Sequence, residues 1–226
     1  MQRVAVVSGA SGSIGGAVAR LLAGEGGCRV LALGRDPAKL EAACGIPNCI
    51  LLAGDFADPA TFRRLEAMMH PRVDILVNCS GGHEIAPWSA TSPAQFRAML
   101  ENNLLAAHEV TQRALRFGLQ DIVFVNSSQG IAASPRVGAY AAAKHALKAY
   151  ADSLRAELNP EVRVLSVYPG RTAGALQERL FELEGRSYRA ADLLQPDDVA
   201  RILWGALQLP RTAEVTDIHI RPRLKT

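Results

Sequence analysis

The chain has 226 residues, 49% of them hydrophobic and 21% charged, with 25 lysines and arginines against 22 acids for a net charge of +3. That balance suits one soluble α/β domain, residues 1–226, large enough to bury a core without disulfides. It argues against a nucleic-acid surface, since the densest basic cluster is the short Arg221-Pro-Arg-Leu-Lys225, and against a membrane span, since no apolar run approaches about 18 residues.

The first apolar run, Val4–Val7, reads as a buried strand. Ser8-Gly-Ala-Ser-Gly-Ser-Ile-Gly15 follows it and opens a helix at about Ile14–Ala23. Gly9, Gly12 and Gly15 allow a tight turn whose backbone N–H groups, with those of Ser11, Ser13 and Ile14, approach a phosphate at the positive end of that helix. A second strand, Val30–Leu33, leads to Gly34-Arg35-Asp36. Arg35 stands 20 residues beyond Gly15 (35 − 15 = 20), where a dinucleotide fold reads the adenosine ribose. An arginine there suits a 2′-phosphate, which favours NADP(H) over NAD(H). Asp36 either meets the ribose or caps the helix at about Ala38–Ala43 that opens with Pro37; the cap is the commoner arrangement.

Strand Ile50–Ala53, helix Ala60–Met69 and strand Val73–Val77 continue the alternation. One long helix, Pro93–Phe117, carries an apolar stripe that places Asn103 on its buried side and Asn102 more outward. Strand Ile122–Val125, helix Ala139–Leu158, strand Val162–Val167, helix Asp197–Leu207 and strand Val215–Ile220 complete the chain. This alternation predicts an α/β, Rossmann-type doubly wound fold: a seven-stranded, mostly parallel sheet flanked by helices on both faces. Residues 171–194 lack a strand partner and read equally as a substrate lid or as a solvated surface helix. The cysteines at 28, 44, 49 and 79 show no C-x-x-C pair and no metal-ligand spacing, so reduced thiols and no metal site are expected. The first strand begins after three residues without a leader pattern, which makes a cytoplasmic protein the expectation.

Tyr140 and Lys144 stack on one helical face, where a cation beside a phenol favours the phenolate and makes the tyrosine a proton-exchanging group. Ser127 lies 13 residues before Tyr140, with Gly130 and Pro135 between them. Together with the glycine turn after the first strand, these residues resemble the short-chain dehydrogenase/reductase family, from Arg3 to about Pro222. Two details depart from the short single-domain pattern. Ser8 and Ser13 replace a threonine and a glycine in the phosphate turn, and the G-x-x-G-x-x-G spacing is that of the extended members.

The resemblance implies an NADP(H)-dependent enzyme interconverting a carbonyl and a secondary alcohol. In that family pattern Ser127 binds the substrate oxygen, Tyr140 handles the proton, Lys144 lowers the tyrosine pKa and binds the nicotinamide ribose, and Asn103 holds a water linking the lysine to solvent. Ser128 competes with Ser127; the spacing favours Ser127. Asp55 with Phe56 would meet the adenine, Asn78 and Gly81 would line the cofactor path, and Pro169-Gly170 would border the nicotinamide. The family's threonine for the carboxamide falls at Gly174, so either Thr172 replaces it or the contact is missing. The family also implies a homotetramer or homodimer, and the many alanines of the two long helices permit close helix approach. Two rivals remain: an epimerase or dehydratase of the extended branch, and a non-catalytic NADP(H)-sensing protein on the same fold. The partner expected is a small molecule. The rim residues His83 and Arg171 read equally as contacts for an anionic substrate and as surface groups.

Overall fold

A computed structural model describes residues 2–55 and 58–224. Seven strands form one sheet in the order β3-β2-β1-β4-β5-β6-β7: β1 Val4–Ser8, β2 Arg29–Gly34, β3 Cys49–Ala53, β4 Ile75–Asn78, β5 Asp121–Val125, β6 Arg163–Pro169 and β7 Asp217–Ile220. Every pairing is parallel, so the sheet is wholly rather than mostly so. Alternating side chains divide the core in two. Ala5, Val7, Val30, Ala32, Val123 and Val167 face one helical layer, whereas Val6, Leu31, Leu33, Ile122, Phe124 and Val164 face the other. The first layer is α1 Ser13–Ala23, α2 Pro37–Cys44 and α8 Pro196–Leu207; the second is α3 Pro59–Met69, α5 Ala106–Ala114 and α6 Gly138–Leu158. With both faces covered, the central strands are largely apolar, and β1 and β5 are buried at every residue.

Four helices open with proline one residue after a polar side chain, at Asp36, Asp58, Ser92 and Gln195. Proline fits the first helical position because its missing N–H is not needed there. Asp36 accepts from Ala38 N (3.0 Å) and Lys39 N (3.1 Å), which makes it the cap of α2.

The long helix is not continuous. It comprises α4 Pro93–Leu100, a π turn at Glu101–Leu105, α5, and a 3₁₀ turn at Leu115–Phe117 that ends at left-handed Gly118 (φ 78°). Strand β4 starts at Ile75 rather than Val73, because Val73 N donates to Phe117 O and Asp74 N to Val4 O ahead of the ladder. Strand β7 is shorter than expected, beginning at Asp217. Residues 171–194 hold a further helix, α7 Ala175–Leu183, tied back by a bridge between Thr172 and Leu194.

The sheet order reverses between β1 and β4. In such sheets the carboxyl ends of the strands open a crevice at that point. Gly9 follows β1 there, and Cys79 to Gly81 follow β4.

Candidate active site

Two cavities of about 530 and 720 Å³ meet at this crevice and share Gly9, Gly12, Cys79 and Gly81 in their walls. Gly9 holds φ at 68°, and a Cβ on it would lie 2.6 Å from the Cys79 carbonyl carbon, so only glycine fits the crossing. Gly12 precedes α1 without a side chain to cap it, and the first turn of α1 carries no acid. The leading N–H groups of that helix therefore lack a side-chain partner and face an anion favourably.

The larger cavity is lined by Ser11, Arg35, Asp55, Asn102 and Arg113, among others. Arg35 is exposed, whereas Asp36 is engaged as a cap and its other oxygen lies 3.8 Å from Lys39 Nζ. Phe56 lies outside the described residues. The smaller cavity is lined by Ser13, Ile14, Gly15, Ser127, Tyr140, Pro169, Gly170 and Thr172. Asn78 is in neither wall. It is 2% exposed, accepts from Ser8 Oγ (3.3 Å) and donates to Thr111 Oγ1 (3.1 Å), so it ties β1 and β4 to α5. Thr172 spends its hydroxyl on Gly170 O (3.1 Å). The room a threonine at Gly174 would need is taken by Ser13, whose Oγ would stand 2.1 Å from an added Cβ.

Ser127 is the member of the serine pair that faces Tyr140. Strand β5 has already ended at Val125, so the choice comes from the turn and not from strand alternation. Ser127 caps the 3₁₀ turn Ser128–Gly130, its Oγ accepting from Gln129 N (3.2 Å), and it shares a cavity wall with Tyr140, whose phenol pKa it lowers. Ser128 is exposed.

Tyr140 lies in the first turn of α6, and Lys144 Nζ lies 5.9 Å from its ring centroid. Lys144 is 4% exposed and donates to Val125 O (3.2 Å). Burial pushes its ammonium down to about 8. Burial also holds the Tyr140 phenol above its ordinary value, and Ser127 opposes this only in part. Burial therefore outweighs the effect expected from the Tyr140–Lys144 spacing, and the shift runs upward rather than downward.

Asn103 sits at the centre of the π turn and is fully buried. Its Nδ2 donates to Gly82 O (3.0 Å) and Met99 O (2.9 Å), while its Oδ1 has no partner among the described residues. A Cβ at Gly81 would stand 2.7 Å from that Oδ1 and 3.7 Å from Lys144 Nζ, which places amide and ammonium on one side of the same glycine. A buried acceptor left open beside a cation is room for a bridging water. One positioning residue was not singled out by motif: Asn126 accepts from Ser127 N (2.9 Å) and donates to Lys144 O (3.1 Å), joining the serine turn to α6. Its position directly before the serine pair is the only sequence signal it offers.

Among the described residues no cluster of three or more His, Cys, Asp or Glu could hold a metal, and no helix is long and apolar enough to cross a membrane. The Cys79 thiol in the crevice is pushed up to about 12 by burial, so it is not a thiolate nucleophile.

The short chain dehydrogenase family model matches residues 3–185. An uncharacterised short-chain type dehydrogenase/reductase of Sinorhizobium fredii is 32% identical over 97% of this chain and 91% of its own length. The closed form of serine dehydrogenase complexed with NADP+ superposes with a TM-score of 0.87 at 21% identity, covering 99% of this chain and 96% of that one. A 3-ketoacyl-(acyl-carrier-protein) reductase from Brucella melitensis complexed with NADH gives a TM-score of 0.82 at 23% identity over 97% and 96%. The protein belongs to the short-chain dehydrogenase/reductase family of oxidoreductases.

Proposed function

We propose that the protein is an NADP(H)-dependent oxidoreductase that interconverts a carbonyl and a secondary alcohol, with Ser127, Tyr140, Lys144 and Asn103 as its working groups. The observation that carries this reading is that Ser127 and Tyr140 share one cavity wall, with Lys144 buried and its Nζ 5.9 Å from the phenol ring. The dinucleotide would straddle the glycine crossing, its adenosine end in the cavity of Arg35 and its nicotinamide end in the cavity of Tyr140. Bound there, the nicotinamide supplies or accepts the hydride. Ser127 would hold the substrate oxygen. Tyr140 would donate its proton to that oxygen in reduction and accept it in oxidation. Lys144 would stabilise the phenolate left behind, and the open Oδ1 of Asn103 would seat the water that returns the proton.

The fold is shared by proteins holding NADP+ and NADH, so it does not choose between them. Arg35 favours NADP(H): it is exposed in the cavity wall, and the acid that would repel a 2′-phosphate, Asp36, is occupied by the N-terminus of α2. Residues 171–194 would act as a substrate lid, since Leu176, Gln177 and Leu180 of α7 line the cavity of Tyr140. The enzyme would assemble as a homotetramer or homodimer, which light scattering in solution tests; a monomer at micromolar concentration contradicts it. The activity is tested by screening ketones, aldehydes and keto acids for consumption of NADPH and NADH. Turnover of a carbonyl with a preference for NADPH is the expected result. No consumption of either cofactor by any carbonyl would refute the reading.

A further inference from the structure

Beyond Tyr140, the substrate cavity holds two buried polar atoms without partners among the described residues: Nη1 of Arg171 and Nδ1 of His83. His83 lies against the reacting phenol, its ring centroid 4.2 Å from that of Tyr140. Arg171 is held by Glu184 and Phe181. Its Nη2 donates to both oxygens of Glu184 (2.8 and 2.8 Å), its guanidinium covers the Phe181 ring at 4.9 Å, and Glu184 is shared with Arg186 at 3.4 Å. One carboxylate between two guanidiniums leaves the cluster with one positive charge. Among the described residues of the cavity wall, the other formal charge is Arg136, so no free carboxylate answers it. A buried guanidinium N–H left open is costly unless something accepts from it, and Arg171 and His83 both line the cavity of Tyr140.

We infer that the substrate carries a carboxylate beside its reducible carbonyl, and that Arg171 Nη1 receives this carboxylate while His83 Nδ1 adds a hydrogen bond. The inference rests on the oxidoreductase reading and sharpens it to a substrate class, the keto acids and their hydroxy-acid counterparts. Burial and the neighbouring Arg171 push the His83 imidazole down to about 4, so at neutral pH His83 contributes a hydrogen bond without a second charge. Glu184 then serves a second purpose. By binding through Nη2 alone it fixes the guanidinium plane and leaves Nη1 without a partner among the described residues.

The test compares pyruvate, acetoacetate and laevulinate with their methyl esters in the wild type, Arg171→Gln and Glu184→Gln. In the wild type at least one acid should exceed its ester in kcat/KM by roughly ten- to hundredfold, the worth of a charge-assisted pair. Arg171→Gln should bring that ratio close to one. Glu184→Gln keeps the arginine and removes the competing charge, so its ratio should rise severalfold. Calorimetric titration of the NADP+-saturated wild type with acetoacetate should show binding that the ester lacks, without any need for turnover. Esters reduced as well as their acids, an unchanged ratio in Arg171→Gln, or loss of NADPH affinity in place of acid selectivity would each overturn the carboxylate site while leaving the oxidoreductase reading intact. Acid binding with no cofactor consumption by any carbonyl would support the anion site and overturn the reading of the chemistry.

Discussion

At the Arg35 end of the groove, recognition rests on backbone N–H groups and an exposed charge; at the Tyr140 end it rests on buried side chains. Gly12 leaves the start of α1 open, and Arg35 stands in solvent at the rim. Lys144, by contrast, is 4% exposed and Asn103 is fully buried. The difference is one of dielectric. Charge at the exposed end is screened and trades with water, so it tunes affinity by modest factors. Charge at the buried end is desolvated, so it changes which protonation state exists at all. Substitutions at the two ends should accordingly fail in different ways.

The largest effect should follow Tyr140→Phe, which removes the proton donor and almost no volume. Turnover should fall by about 10²- to 10⁴-fold, with NADPH affinity nearly unchanged. Retention of more than about a tenth of the wild-type rate would contradict general acid catalysis by this residue. Lys144→Met should lose turnover almost as severely and also weaken NADPH binding, because the lysine is assigned both the phenol and the ribose. Steady-state kinetics with a fluorescence titration of NADPH separate the two variants.

At the exposed end the change is smaller. Arg35→Ala should weaken NADPH roughly ten- to hundredfold, the equivalent of one charge-assisted contact, and leave NADH within a few-fold. Raising the salt concentration should erode the wild-type preference, since a rim phosphate is screened over a Debye length of about 10 Å at 0.1 M. Equal affinity of the wild type for both reduced cofactors would remove Arg35 from the site.

The smallest effect concerns stability. The folded Lys144 titrates near 8, below its ordinary 10.5, so between those values the unfolded chain binds the extra proton. Wild-type stability should therefore gain from this residue as pH rises from about 8 to 10.5, and lose that gain as pH falls. Lys144→Met cannot titrate. Its stability relative to wild type should be greatest near neutral pH and decline towards pH 10, as measured by urea unfolding; a constant difference would mean that the ammonium is not desolvated.

The two ends also differed in how far the sequence revealed them. Glycine spacing reports a backbone constraint, so the crossing at Gly9 and the open start of α1 could be anticipated, as could the capping of α2 by Asp36 before Pro37. The Tyr140–Lys144 stack was visible because a helix brings such positions together. What escaped was whatever has no period. The π turn at Glu101–Leu105 interrupts a pattern that reads as one helix, and π turns often mark functional positions. Asn126 acts through hydrogen bonds to backbone and carries no spacing signature. Arg171 and Glu184 are joined across α7, and only folding brings them together. The misjudged sign of the Tyr140 shift has the same origin: spacing shows the neighbouring cation, whereas burial, the larger effect, is a property of the packed chain.

Hydride transfer itself is the central claim, and following a label from the cofactor tests it most directly. The wild type should be incubated with NADPH carrying deuterium at the transferred position of nicotinamide C4, together with each carbonyl substrate it consumes. The account predicts deuterium on the carbinol carbon of the product, with Tyr140→Phe forming that product at least a hundredfold more slowly. Product free of deuterium, or equal rates in the two proteins, would contradict it.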